Sequence, residues 1–372
     1  MANEYKPMKF GCGRYIQAPG AMTVVGREAK MLKGTKALVI CGKKSQDATG
    51  ALIEKSLKDA EIEPYFYTME TDCCYETLDY LKNTLVPEKK FDVVIGSGGG
   101  KVIDMTKATG KGSDLPVINA PSSVATFNCW SAMSVMYTKD HKPKDRIWHD
   151  TENNAVILDT QVLANAPVKL FASGMADAFA KYIETGLMDE GYTIQNTPTG
   201  MYCSKVMAGT TNQIILTKGE KAYRDCQNHE VTNEFDACVF ANVATTAIAA
   251  AVNYGTYSLI TSGNGKGATF AHAMYYACKT IFTEETKNYL HGEIVGLGCQ
   301  AEMYAFDRTE YETKNFSRFM KAIGQPMTLR DLGIEPTDKN IRDLVDSMMC
   351  VWGKHPPEHW QIMYDALQYI KG

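Results

Sequence analysis

The sequence has 372 residues, about two and a half times a usual domain of about 150 residues, so we expect two packed domains. With 45% hydrophobic and 22% charged residues, 30 Gly and 13 Pro, the composition excludes a disordered, collagen-like or membrane-spanning chain. The net charge of -4 supplies no basic surplus against a phosphate backbone, so we expect a small-molecule ligand rather than a nucleic acid.

Strand-like and helix-like segments alternate along the first 150 residues. The continuous apolar run Lys36–Cys41 predicts a strand covered on both faces, and the spacing of Ile53, Leu57 and Ala60 predicts a helix over 50–61. Further strands are predicted at 64–67, 91–95, 115–120 and 156–158, and further helices at 75–85 and 102–110. This alternation is typical of a doubly wound, Rossmann-like parallel sheet, whose ligands bind beyond the carboxyl ends of the strands.

The second half of the sequence has only helical patterns. Pro167 fits the first turn of a helix in which Leu170, Met175, Phe179 and Ile183 recur at helical spacing. Further helices are predicted at 235–260, 267–283, 291–306, 313–323 and 338–351. The predicted fold class is therefore α/β plus all-α, with an α/β domain over 1–166 and an all-helical domain over 167–372.

The cysteines and the N-terminal residues both indicate the cellular compartment of the protein. Of the eleven cysteines only Cys73 and Cys74 adjoin, and without C-x-x-C spacing this usage predicts reduced thiols in a reducing compartment. The stretch MANEYKPMKFG lacks the pattern of a secretory signal, and the apolar run at 241–252 is short for a membrane span. We expect a cytoplasmic protein.

A triglycine turn is the strongest local signal. Gly96-Ser97-Gly98-Gly99-Gly100-Lys101 lies between a predicted strand and a predicted helix. Glycines let the backbone approach a pyrophosphate, and the positive end of the helix stabilises its charge. Such turns also need glycine for steric reasons alone, so the glycines leave both interpretations open, and the adjacent Lys101 favours the phosphate.

In full, the turn reads GSGGGKVIDMTK and resembles the glycerol dehydrogenase branch of the metal-dependent, iron-type alcohol dehydrogenases, whose members carry G-x-G-G-G-K-x-x-D-x-x-K here. Further blocks agree in the same order: PSSVATFNCWSAMSVMYT, LDTQVLANAP, ASGMADAFAKYIE, and AHAMYYA with HGEIVGLG. The resemblance covers most of residues 36–305. It implies a dehydroquinate synthase-like fold, with the dinucleotide on the α/β domain and a metal in the helical domain.

The resemblance implies that Asp177, His272 and His291 hold the metal. One Asp and two imidazoles leave coordination positions open, as in catalytic sites, although each residue alone is more often structural. Iron-type relatives often have a His one turn after the Asp, where this chain has Lys181. A protonated lysine does not ligate, so Zn²⁺ is favoured, and Fe²⁺ stays open because two His and one carboxylate also suit it.

The reaction that the resemblance implies is hydride transfer between NAD(P)(H) and a small hydroxy or oxo compound, with the metal as Lewis acid. The implied dinucleotide contacts are Gly98, Gly99, Gly100, Lys101, Asp104, Ser122, Ser131, Met133 and Tyr137. NAD-preferring relatives usually end the first strand with an Asp, and Gly42 stands there, followed by Lys43 and Lys44. We therefore expect NADP(H) to be favoured over NAD(H), unless Gly42 is only a turn glycine and both lysines are solvated.

The substrate is where the sequence departs from glycerol dehydrogenases. Phe127 stands where they carry a polyol-contacting Asp, and Trp130 follows, a pattern more similar to the hydroxycarboxylate dehydrogenases. Lys181 is the candidate partner for a substrate carboxylate, against the alternative of a salt bridge to Asp177 or Glu184. Phe127 and Trp130 have the alternative of wall packing. We thus expect a 2-oxo acid or 2-hydroxy acid as substrate.

Three other functions are alternatives to this one. The first alternative is a glycerol or polyol dehydrogenase. A lyase similar to dehydroquinate synthase ranks lower, because its substrate needs clustered Arg and Lys, and near the matching blocks we find mainly Lys181 and Lys279. A catalytically silent relative is disfavoured because Asp177, His272 and His291 are intact. We also expect a homo-oligomer with no nucleic-acid or membrane partner.

Overall fold

A six-stranded sheet organises the first half of the chain in the computed structural model, which describes residues 10–139, 142–186, 194–195, 198–252, 270–306, 309–351, 357 and 359–372. Its strands are β1 (Cys12–Ala18), β2 (Lys36–Cys41), β3 (Glu63–Thr68), β4 (Val93–Ser97), β5 (Val117–Asn119) and β8 (Asn153–Asp159). The strand order is β1-β8-β5-β4-β2-β3, and every pairing is parallel. A separate antiparallel hairpin joins β6 (Met133–Tyr137) to β7 (Pro143–Trp148).

Helices cover the sheet, which is why its central strands are apolar throughout. They are Val25–Met31, Lys43–Asp59, a helix from Tyr75 to Lys89 with a π turn at Leu81–Leu85, Gly100–Gly112 and Thr160–Ala164. One apolar cluster contains Val39, Ile95 and Ile157, and the other contains Leu38, Ile40 and Val94. Neighbouring residues of β2 thus enter different cores, as expected for a strand buried on both faces.

The remaining described elements are helices. They are Val168–Gly186, Thr199–Gln227, Asn233–Val252 with a π turn at Ala241–Thr245, Phe270–Ile281, Thr283–Thr286, His291–Ala305, Glu310–Ala322, Asp338–Cys350 and His359–Tyr369, with short 3-10 helices at Ala21–Val24 and Arg330–Leu332. The predicted fold class is confirmed. The predicted segments 253–260 and 267–269 lie outside the described residues.

The chain divides into two compact units. The sheet unit contains residues 9–171 and 225–247, and the helical unit is built mainly of 172–224 and 248–372. This division differs from the contiguous boundary predicted at residue 166, because the segment 225–247 belongs to the sheet unit. Its Phe235 ring packs 4.8 Å from the ring of Phe171, and Gln17 Nε2 donates to Asp236 Oδ1 at 2.8 Å.

One described helix, Asn233–Val252, has the length and composition of a membrane span. Of its most apolar window, 72% is buried inside the protein, which is the burial of a core helix. The cysteines are free thiols, and all except Cys12, Cys203 and Cys350 are buried.

Candidate active site

The carboxyl ends of β2 and β4 lie side by side in the sheet unit, with Cys41 paired to Ser97. Gly42 follows the first strand and Gly98 the second, so the two glycines mark one edge of the sheet. Each precedes a helix, Lys43–Asp59 and Gly100–Gly112 respectively. Two helix N-termini thus lie at the sheet edge where parallel α/β sheets bind their ligands.

The glycines of the turn have two different roles. A Cβ on Gly96 would lie 2.4 Å from Thr106 Oγ1, and one on Gly98 would lie 2.6 Å from Val102 Cβ, so both let the helix pack on the strand. By contrast, a Cβ on Gly99 would meet only Ser123 Oγ, at 3.8 Å. Close packing therefore explains why glycine is needed at positions 96 and 98. It does not explain Gly99, where a side chain would meet almost nothing.

Lys101, next in the turn, already has partners in the sheet unit. Its Nζ lies 2.6 Å from Asp72 Oδ2 and 4.8 Å from the centroid of the Tyr137 ring. The structure thus brings together two of the predicted dinucleotide contacts, Lys101 and Tyr137. The Asp72 carboxylate partly neutralises the charge of Lys101. No pattern in the sequence indicated this ion pair.

Asp104 and Lys107 form an ion pair inside the sheet unit. Lys107 Nζ lies 2.9 Å from Asp104 Oδ1, and both side chains are buried, which raises the pKa of Asp104. The same ammonium group donates to the carbonyls of Asn128, Ser131 and Met133. Asp104, predicted as a dinucleotide contact, is thus buried and pairs with Lys107. Lys107 in turn binds the backbone carbonyls of the 128–133 segment.

The other predicted dinucleotide contacts lie near the turn. The N–H of Ser122 donates to Gly98 O at 3.1 Å, and Asn128 Nδ2 donates to Gly100 O at 2.8 Å, which ties the segment of Ser131 and Met133 to the turn. Gly42 has φ -91°, so its backbone does not require glycine. The lysines at positions 43 and 44 are exposed.

The two aromatic residues predicted at the substrate site differ in placement. Trp130 is buried, its Nε1 donates to Phe10 O at 2.9 Å, and its ring lies 5.1 Å from that of Tyr15. This is the packing role that the sequence left open. Phe127 is only partly buried.

The helical unit brings together the three predicted metal ligands. One ligand atom from each of Asp177, His272 and His291 lies within 4.8 Å of the other two. The Nε2 atoms of His272 and His291 lie 3.6 and 3.3 Å from the same atom, Asp177 Oδ1. That oxygen is buried and lacks a hydrogen-bond partner among the described residues, and an unpaired buried carboxylate oxygen is costly. The donor set and this orphaned oxygen fit a divalent metal ion such as Zn²⁺ or Fe²⁺.

Close helix packing sets the position of His291. The next residue, Gly292, donates its N–H to Ser173 Oγ at 3.0 Å, and a Cβ on it would lie 1.8 Å from Ser173 O. On the same helix, a Cβ on Gly298 would lie 2.7 Å from Ala271 Cα. Glycine therefore lets the His291 helix contact both the helix of Asp177 and that of His272.

Glu184 is a member of this cluster that the sequence did not assign to it. Its Oε1 lies 2.7 Å from His272 Nδ1, and its Oε2 lies 3.9 Å from Lys181 Nζ. Glu184 follows Asp177 by seven residues, two turns along one helix face, and this spacing was the available signal. Lys181 thus takes the alternative foreseen for it, a salt bridge to Glu184.

The charges of the cluster favour an ionised acid. Burial opposes ionisation of Asp177, but the neighbouring His291 and His272 rings and the charge of Lys181 hold its pKa below the ordinary value. Burial lowers the pKa of His291. Burial would also lower the pKa of His272, but the charge of Glu184 raises it. Metal ligation requires a carboxylate and imidazole lone pairs, which this arrangement favours at Asp177 and His291.

Tyr275 packs against the cluster as well. Its ring stands edge-on to that of His291, with centroids 4.2 Å apart. Burial raises the pKa of Tyr275 above its ordinary value. The phenol is therefore protonated at neutral pH and is unsuited to act as a base.

Comparisons with known proteins show which proteins this chain resembles. Residues 12–160 match the family of iron-containing alcohol dehydrogenases. A glycerol dehydrogenase of Thermotoga maritima is 26% identical over 324 residues, which cover 87% of this chain and 84% of the relative. A glycolaldehyde reductase of Halobacterium salinarum is 24% identical over 339 residues, or 90% and 88% of the two chains.

A solved structure shares the fold along the whole chain. The glycerol dehydrogenase of Schizosaccharomyces pombe aligns with a TM-score of 0.82 at 22% identity, covering 99% of this chain and 91% of that one. The family match over residues 12–160, the related glycerol dehydrogenases and the motif around Gly98–Lys101 together support the glycerol dehydrogenase-like branch of the iron-containing alcohol dehydrogenases, and with it an alcohol dehydrogenase that acts on CH–OH groups.

Proposed function

We propose that this chain is a metal-dependent oxidoreductase that transfers a hydride between NADP(H) and a small polyol or hydroxy-carbonyl compound of the size of glycerol. The observation that carries the proposal is the convergence of two imidazole Nε2 atoms on the buried, unpaired Asp177 Oδ1. Three ligands of this kind leave positions open for a substrate oxygen, as in catalytic rather than structural sites.

Each residue of the cluster has a distinct task in this proposal. Asp177, His272 and His291 would hold the metal, while Glu184 fixes the ring of His272 from behind. When bound, the metal would supply Lewis-acid activation of an alcohol oxygen, and a nicotinamide would supply the hydride acceptor. Lys181 keeps the buried Glu184 charge compensated, which leaves its ammonium less available to a substrate carboxylate.

The substrate class follows the relatives rather than the pattern around Phe127. Glycerol dehydrogenases recur among them, and a glycolaldehyde reductase joins them, so small hydroxylated compounds without a carboxylate are favoured. A 2-oxo acid is the second candidate, and the observation in its favour is Phe127, where a polyol-binding carboxylate was expected.

The cofactor preference is proposed from the end of β2. Gly42 offers no carboxylate that would repel a 2′-phosphate, and the exposed Lys43 and Lys44 begin the following helix. Ammonium groups beside a helix N-terminus attract a phosphate. A cytoplasmic location and a homo-oligomeric state remain predictions from the sequence.

The proposal is tested with protein stripped of metal by a chelator. Glycerol, propane-1,2-diol, glycolaldehyde and a panel of 2-oxo acids are assayed with each cofactor, before and after addition of Zn²⁺ or Fe²⁺. We expect turnover to depend on added metal and to be faster with polyols and glycolaldehyde than with 2-oxo acids. Equal rates without metal would contradict it, as would a preference for 2-oxo acids. A lyase would show product without net cofactor conversion.

A further inference from the structure

We infer that Glu184 is a positioning residue of the metal centre, which selects the protonated nitrogen of His272 and fixes the plane of its ring. The inference deepens the proposed function and rests on it. Its basis is geometric. Glu184 Oε1 faces two donors of the same residue, the backbone N–H of His272 at 3.2 Å and the ring Nδ1 at 2.7 Å.

Two bonds to one oxygen fix both ends of the histidine. The bond to the backbone N–H fixes the position of the His272 main chain. The bond to Nδ1 fixes the rotation of the imidazole ring. To donate to a carboxylate, Nδ1 has to carry a proton, so the lone pair of a neutral ring is left on Nε2. Nε2 is the nitrogen that faces Asp177 Oδ1, at 3.6 Å.

Capping of the His272 helix does not by itself explain why a carboxylate stands at position 184. The N–H of Ala271, one residue before His272, is satisfied by another buried acid, Glu302, whose Oε2 lies 3.1 Å away. The start of this helix therefore already has an acidic cap. Glu184 accepts from the next backbone N–H, that of His272, and adds a contact with the ring of the same residue.

Burial of Glu184 also indicates a specific task. Its side chain is 2% exposed, and a buried carboxylate costs several kcal/mol unless it is compensated. Two groups compensate the charge of Glu184: Lys181 Nζ lies 3.9 Å from Oε2, and the two donors of His272 face Oε1. Carboxylates that accept from the second nitrogen of a metal-bound histidine are a recurring feature of metal sites.

The test compares Glu184→Gln with Glu302→Gln. Zn²⁺ affinity is measured by competition with a fluorescent zinc chelator, with no substrate or cofactor present. We expect the Kd of Glu184→Gln to rise about 10- to 100-fold, and that of Glu302→Gln to stay within threefold of the wild type. Thermal unfolding of the metal-free proteins serves as the control for folding. Glu184→Asp keeps the negative charge but moves the carboxylate away from His272 Nδ1, because the side chain is shorter. This variant replaces Glu184→Gln if the latter is insoluble.

A second readout separates positioning from packing. In the zinc-loaded wild type, NMR should show a slowly exchanging ring N–H from His272, assigned by its absence in His272→Gln, and Glu184→Gln should lose that protection. Unchanged zinc affinity and an unchanged ring N–H in Glu184→Gln would overturn the inference while leaving the proposed function intact. Failure of the wild type to bind Zn²⁺ or Fe²⁺ would overturn both.

Discussion

His291 Nε2 lies 3.3 Å from Asp177 Oδ1, although 113 positions separate the two residues in the chain. The contact depends on Gly292, whose place beside Ser173 brings the start of one helix against the backbone of the other. Catalytic geometry in this unit therefore rests on helix packing as much as on the ligands themselves.

Gly292→Ala should separate the two helices. The added Cβ would lie 1.8 Å from Ser173 O, so the His291 helix has to move. We expect a loss of about 1 to 3 kcal/mol in the free energy of unfolding, together with weaker zinc binding.

The matched control is Gly209→Ala, in another helix of the same unit, where the Cβ would meet only the Tyr182 ring at 3.7 Å. It should be neutral or stabilising by up to about 1 kcal/mol. Urea denaturation of both variants decides the matter, and equal effects would show that the close approach at Gly292 is dispensable.

Gly42→Asp should shift the cofactor preference towards NADH. A Cβ there would meet Ser45 Oγ and Val102 Cγ2 at 3.7 Å, which is ordinary contact, so the fold should accept the change. The new carboxylate would repel a 2′-phosphate and could accept from ribose hydroxyls. We expect the ratio of kcat/KM for NADPH to that for NADH to fall at least about tenfold, a change of about 1.4 kcal/mol.

Gly42→Ala separates charge from bulk in this experiment. It adds the Cβ alone and should leave the cofactor ratio near that of the wild type. If Gly42→Asp and Gly42→Ala behave alike, or neither moves the ratio, cofactor specificity is set elsewhere.

Lys107→Met should destabilise the sheet unit strongly. The substitution leaves the Asp104 carboxylate buried without its cation and removes the donor to the carbonyls of Asn128, Ser131 and Met133. Breaking a buried pair from one side costs about 3 to 5 kcal/mol.

Lys101→Met is the matched comparison, because this lysine is 44% exposed in its pair with Asp72 and should cost no more than about 1 kcal/mol. Guanidinium unfolding curves of the two variants would show the difference. A small effect at Lys107 would mean that its buried hydrogen bonds contribute little.

Lys181→Met distinguishes the two substrate classes. Because Lys181 Nζ lies 3.9 Å from Glu184 Oε2, we expect the variant to lower kcat/KM for glycerol and for 2-oxo acids by similar factors. Steady-state kinetics with both substrates measure the two factors. A loss confined to 2-oxo acids, of about 100-fold, would instead assign the ammonium to a substrate carboxylate.

The sequence predicts the central strands well, because burial on both faces leaves an unbroken apolar run. Lys36–Cys41 is observed with the predicted bounds. Strand β7 was missed because it is polar, with three charged residues among its six. The segment 225–247 reads as an amphipathic helix whichever unit it packs against, so its place in the sheet unit required tertiary contacts such as that of Phe235 with Phe171.

The candidate site was predictable in its chemistry but not in its supports. The resemblance selected Asp177, His272 and His291, and the structure places their ligand atoms together. That Asp104 is buried beneath Lys107, or that Glu184 lies beside Lys181 and also contacts His272, depends on side-chain directions that residue spacing does not fix.

The most direct test of the central claim is zinc stoichiometry, measured by elemental analysis of chelator-stripped protein after re-loading and gel filtration. We predict one Zn²⁺ per chain in the wild type and in His229→Gln, an exposed histidine of the sheet unit, and none in His291→Ala, with turnover lost at least about a thousandfold in that variant alone. Retention of the metal and of activity in His291→Ala would contradict the assignment of Asp177, His272 and His291 as the metal site.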